Sequence, residues 1–143
     1  MSEPLHTQFL RTIHRHPEAR EEITGAPGKV KTLKKSVSRG VSMIYVVRAS
    51  TARVEMWIYR GPKPHQVDEA KDIHQHFLNH KASIEKAFGA SLNWSHGRRK
   101  TAYSIQVDYD EFRLRDTSRW PEWTDRMVAD MNRLYDALRP HFL

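Results

Sequence analysis

Between residues 41 and 60 apolar side chains fall at every second position, twice over: Val41, Met43, Tyr45 and Val47, then Val54, Met56 and Ile58 after Ala49-Ser50-Thr51. A period of two belongs to a strand with one face buried, because successive side chains point to opposite sides. The β-branched and aromatic residues in the stretch favour the same state. It therefore reads as a hairpin with one apolar face, and any fold open to this chain is built on that sheet. The second strand turns Arg53, Glu55, Trp57 and Tyr59 the other way, so its opposite face is amphipathic and partly aromatic.

Around this hairpin the spacing changes to that of helices. Leu5, Phe9, Leu10 and Ile13 predict a helix over 5–16 that Pro17 ends. Thr24-Gly25-Ala26-Pro27-Gly28 reads as a loop, and it leads into Lys29-Val30-Lys31-Thr32-Leu33-Lys34-Lys35, either an exposed edge strand or a mobile basic arm. Gly61-Pro62-Lys63-Pro64 breaks the sheet. One helix is then predicted over 67–88 from Ala70, Ile73, Phe77, Ile84 and Phe88, with Gly89 as its left-handed cap. A second hairpin is predicted from 92–95 to 101–107, where Tyr103, Ile105 and Val107 alternate. An acidic segment over 108–116 leads to the last helix, capped by Thr117 or Ser118, with Pro121 in its first turn and its end near Arg139.

The expected order is α-β-β-α-β-β-α, an antiparallel sheet of two hairpins packed by helices in a single α+β domain over 1–143. Within it, 1–33 forms an N-terminal helix and a basic loop or arm. With 38% hydrophobic residues and four tryptophans the chain is too apolar for disorder, and 143 residues suffice for an independent core.

Three segments carry a resemblance: 41–59, the run Ile84-Glu85-Lys86-Ala87-Phe88-Gly89-Ala90-Ser91-Leu92-Asn93-Trp94, and Ser118-Arg119-Trp120-Pro121-Glu122-Trp123. Over 34–140 the chain resembles the bacterial family catalogued as domain of unknown function 4268, in which a strand "arVElyi" precedes a helix ending "IEaaFGxxLxW" and "WPE" opens the last helix. The resemblance implies a module found alone or at the C-terminal end of larger bacterial proteins, some with a restriction-endonuclease-like part. That context points to nucleic-acid handling or defence. It carries over no catalytic residue, and a shared fold does not transfer function.

Each catalytic pattern the sequence offers lacks a required part. The absence of cysteine excludes a disulfide framework, a thiolate zinc site and a cysteine nucleophile together. His76 and His80 stand at the i, i+4 spacing that can bring two imidazoles to one ion, but no third ligand follows in sequence, and flanking a buried stripe explains the pair. A nuclease-like acidic-x-Lys step is absent after Glu55, which is followed by Met56 and Trp57, and Asp108, Asp110, Glu111 and Asp116 lack calcium-loop spacing. There is no phosphate loop, dinucleotide fingerprint or serine elbow. No catalytic, metal or cofactor site is therefore assigned.

What remains is charge. The chain carries 24 Lys+Arg against 17 Asp+Glu, a formal +7, and residues 1–40 hold eight basic but only four acidic side chains. Such a balance draws polyanions. The expected backbone contacts are Lys29, Lys31, Lys34, Lys35 and Arg39 before the first hairpin, with Arg98, Arg99 and Lys100 at the tip of the second, and Trp57 and Tyr59 are the stacking candidates. The leading expectation is a non-enzymatic accessory module contacting DNA or RNA. The competing ones are a protein-interaction or homodimerisation domain and, last, a metal-dependent nuclease or hydrolase. No run reaches the length of a membrane span and the N-terminus lacks a secretory pattern, so a cytoplasmic location is expected.

Overall fold

The computed structural model describes residues 3–27, 31–96 and 101–143. The alternating run forms β2 (Val41–Val47) and β3 (Ala52–Tyr59), and their register places Met43 opposite Met56 and Tyr45 opposite Val54. Further along the chain lies β5 (Ala102–Tyr109), which sets Ile105 against Met56 and Val107 against Val54. An apolar row thus crosses three strands. The strand β4 (Asn93–His96) pairs with the outer edge of β5, and β1 (Thr32–Ser38) pairs with β2, so the five strands form one antiparallel sheet in the order β1-β2-β3-β5-β4.

The helices bury their apolar stripes against the side of the sheet that carries Val41, Met43, Tyr45, Val54, Met56 and Ile58. From α1 (Leu5–His14) come Phe9, Leu10 and Ile13, with the Phe9 ring edge-on to Phe112 and Trp120 at centroid distances of 5.2 and 5.3 Å. The longest helix, α4 (Trp120–Leu138), adds Trp123, Met127, Met131, Leu134 and Leu138. Two helices between the hairpins, α2 (Pro64–Leu78) and α3 (Lys81–Phe88), supply Ala70, Phe77, Ile84 and Phe88. Among the described residues no helix is long and apolar enough to cross a membrane.

The α+β class is as expected, but the order and the two-hairpin description are not. The sheet has five strands because the segment read as edge strand or basic arm is an edge strand. Only Leu33 is fully buried there, and lysines occupy the solvent positions as they do on protected edges. The single helix expected over 67–88 breaks at Asn79-His80, where the His80 amide reaches back to the Phe77 carbonyl and His80 leaves helical geometry at φ −113° and ψ 17°. Asparagine is a weak helix former, yet the apolar stripe resumes in phase beyond it, which is why periodicity alone hid the break. Gly89 does cap α3, at φ 96°. Neither Thr117 nor Ser118 caps α4: they lie in a 3-10 turn before it, and the Ser118 hydroxyl donates to Asp116.

Candidate functional site

The side of the sheet turned away from the helices carries the other half of each alternating pattern. On β3 this is Arg53, Glu55, Trp57 and Tyr59; β2 adds Ser42, Ile44 and Val46, and β5 adds Ser104, Gln106 and Asp108. Trp57 and Tyr59 stand two residues apart on one strand, so their rings project side by side. The rings lie nearly parallel, 16° apart with centroids at 5.0 Å. The Lys34 ammonium of the edge strand sits 4.5 Å from the Trp57 ring centroid, within cation–π range.

Next to the stack a polar row crosses from β3 to β4. Glu55 is only 4% exposed, and its Oε2 accepts from Arg53 Nε at 3.1 Å and from Ser104 Oγ at 2.6 Å. Ser104 Oγ also lies 2.7 Å from Gln106 Oε1, while the Gln106 amide donates to Asp108, which accepts from Asn93 as well. A carboxylate this buried persists only when paired and hydrogen-bonded, and here Arg53 and Ser104 provide that. The row borders a cavity of about 290 Å³ whose lining comes wholly from β3, β4 and β5, among them Arg53, Glu55, Trp57, Ser104 and Gln106.

The expected backbone contacts do not form one cluster in the described structure. Lys29, Arg98, Arg99 and Lys100 lie outside the described residues. Lys31 is exposed just before β1, Lys34 joins the aromatic stack, and Lys35, the next residue along β1, points to the opposite side. Arg39, in the turn before β2, lines a separate cleft with Arg60, Glu69 and Asp72. Sequence reasoning named Trp57 and Tyr59, considered Asp108 only within an acidic loop cluster, and passed over Ser104 and Gln106. Their signal was present, as the polar half of the alternation whose apolar half is Tyr103, Ile105 and Val107.

The histidine pair acquires a neighbour that spacing could not reveal. His76 Nε2 lies 2.8 Å from the His141 carbonyl oxygen, and the His80 ring stacks on the His141 ring at 4.4 Å. The rings of His80 and His141 meet face to face, and among the described residues no group of three or more His, Asp or Glu side chains is arranged to hold a metal ion.

The family model described as domain of unknown function (DUF4268) matches residues 7–142. The chain belongs to that family. The match begins within α1 and runs to residue 142, a longer stretch than the three motifs span. No curated protein and no solved structure matches the chain. In this DUF4268 domain the motif residues hold the layers together: the Glu85 carboxylate accepts from the Leu92 amide at 2.7 Å and from the Trp94 indole at 3.3 Å, tying α3 to the start of β4. Those bonds, the Leu92 amide foremost, hold the Glu85 carboxyl below the usual range. Trp120 of the "WPE" motif likewise donates its indole N–H to the Leu114 carbonyl at 2.9 Å. The DUF4268 signature residues quoted from α3, β4 and α4 therefore account for architecture, and the sheet face turned from the helices meets the signature where Arg53, Glu55 and Trp57 share the β3 motif.

Proposed function

We propose that this domain is a non-catalytic nucleic-acid-binding module that receives single-stranded DNA or RNA on the open face of its sheet. One observation carries the reading: a parallel Trp57–Tyr59 pair, flanked by the Lys34 ammonium, on the face opposite the helices. Aromatic side chains on an uncovered sheet face stack unpaired bases, and nearby cations follow the phosphates, so affinity comes from both terms. The basic composition and the restriction-associated setting that the family resemblance implies support an accessory role in nucleic-acid handling or defence.

The test is oligonucleotide binding by fluorescence anisotropy at two salt concentrations. With about three phosphate contacts, raising salt fourfold should weaken single-strand binding by about 20-fold. Trp57→Ala should weaken it by about tenfold or more. Absence of binding at low salt would overturn the reading, and a stable dimer in that experiment would turn attention to pairing through the β1 edge.

A further inference from the structure

The polar row beside Trp57 has an imbalance that matters for what the cavity would accept. Ser104 carries one hydroxyl proton but lies 2.6 Å from Glu55 Oε2, which already accepts from Arg53 Nε, and 2.7 Å from Gln106 Oε1, so one of these two oxygen contacts carries no proton. Reversing the Gln106 amide does not help. Its oxygen would then face Asp108 Oδ1, 2.7 Å from the atom that now donates, and set one acceptor against another. In either orientation one close oxygen–oxygen contact of the row lacks a proton among the described residues. Close oxygen pairs without a shared proton are unfavourable, and a ligand N–H given to the half-buried Gln106 oxygen would leave the Ser104 proton to Glu55.

The cavity also has a suitable size and wall. At about 290 Å³ it sits at the lower end of small-molecule sites, roughly 300–1,000 Å³, which suits one planar heterocycle. The Trp57 indole forms one side, and the charged Glu55 side chain, more than nine-tenths buried, forms another. The lining offers the Arg53 guanidinium as a donor beside the Glu55 and Gln106 oxygens as acceptors. A guanine base shows the complementary edge, one carbonyl acceptor next to two N–H donors. Thymine and uracil offer a single N–H between two carbonyls, which would set oxygen against oxygen here.

We infer that the cavity bounded by Arg53, Glu55, Trp57, Ser104 and Gln106 is a base-reading pocket that selects guanine in a single strand bound across the sheet. The inference rests on the nucleic-acid reading above and adds to it a sequence preference that stacking alone does not supply. Glu55 and Gln106 accept from the base, Arg53 donates to its carbonyl, and Trp57 stacks on its plane.

The experiment compares three oligonucleotides on the wild-type protein: oligothymidylate, the same strand with one central guanine, and the same strand with inosine in that place. Guanine should raise affinity by about tenfold, within the range for one well-placed base contact set, and inosine, which lacks the 2-amino group, should return part of that gain. Glu55→Gln, which keeps the shape but exchanges an acceptor oxygen for an amide, should bring the guanine strand down to the thymidylate level. Equal affinity for all three strands overturns the guanine inference while leaving the binding surface standing. Failure to bind any strand overturns the nucleic-acid reading itself. Because the strand comparison needs no substitution, it decides the matter even if Glu55→Gln fails to fold.

Discussion

The two faces of β3 are made by alternate residues of one strand and have little else in common. Ala52, Val54, Met56 and Ile58 are buried under helices, whereas Arg53, Glu55, Trp57 and Tyr59 form hydrogen bonds and ring contacts on the uncovered side. The first set gains its free energy from removal of apolar surface and close packing, which folding uses in full. The second set keeps the Trp57–Tyr59 rings and Arg53 half-exposed, while Glu55, only 4% exposed, is held by hydrogen bonds at the wall of the cavity. On the proposed reading, stability and binding are separated by a period of two along the same strand.

The sharpest way to break that comparison is to truncate neighbours. Met56→Ala removes a side chain with 0% exposure from the centre of the sheet and should cost about 3 kcal/mol in urea unfolding. Trp57→Ala, one residue away on the half-exposed side, should cost less in unfolding and much more in oligonucleotide binding. Equal unfolding costs would mean that the open face is a second core, and the division of labour would fail.

Polar groups inside the helix layer test the same division at smaller amplitude. Tyr109 Oη donates to Asp130 Oδ2 at 2.6 Å, Asp130 Oδ1 accepts from Arg133 at 2.8 Å, and Arg133 donates to the Phe88 carbonyl at 2.9 Å. This chain links β5, α4 and the end of α3. Burial, reinforced by the neighbouring carboxylate, drives the Tyr109 phenol pKa upward, so the hydroxyl stays a donor. Asp130→Ala leaves that hydroxyl buried without its acceptor and should lower stability by about 2 kcal/mol. Single-strand binding by the folded fraction should be unaffected, since Asp130 lies beneath the sheet and away from Trp57.

The contrast between faces also explains what was legible in the sequence. The β2–β3 hairpin, the β4–β5 hairpin, α1, α4 and the Gly89 cap followed from periodicity and local chemistry, because each is encoded within a window of neighbouring residues. Trp57 and Tyr59 were visible for the same reason, as the off-phase half of an alternation. What escaped was set by distant partners. The lysine-rich β1 is a strand because β2 has a free edge, and the Glu55–Ser104–Gln106 row exists only once β3 pairs with β5. His141 meets His80 across a large sequence separation, and no spacing rule signals that.

A titration sharpens the comparison at its smallest scale, on the helix-backed side. His74 of α2 is 8% exposed, its ring lies 4.6 Å from Tyr103 of β5 at an interplanar angle of 23°, and its Nε2 has no hydrogen-bond partner among the described residues. Burial, with His96 of β4 adding to it, holds the His74 pKa below its ordinary value. His141 shifts the same way through burial and through His80 and His76. The unfolded chain takes up these protons near pH ~6.5, and the folded chain only at lower pH, so the unfolded state binds more protons as acid is added. Stability should be constant above about pH 6.5 and decline as pH falls through the folded values, by less than either substitution above. Urea midpoints between about pH 8 and about pH 5.5 measure this. His74→Phe keeps a ring on Tyr103 and should flatten the acid limb. An unchanged limb would assign the whole effect to His141, leaving the sheet-facing side of α2 with no part in the acid response.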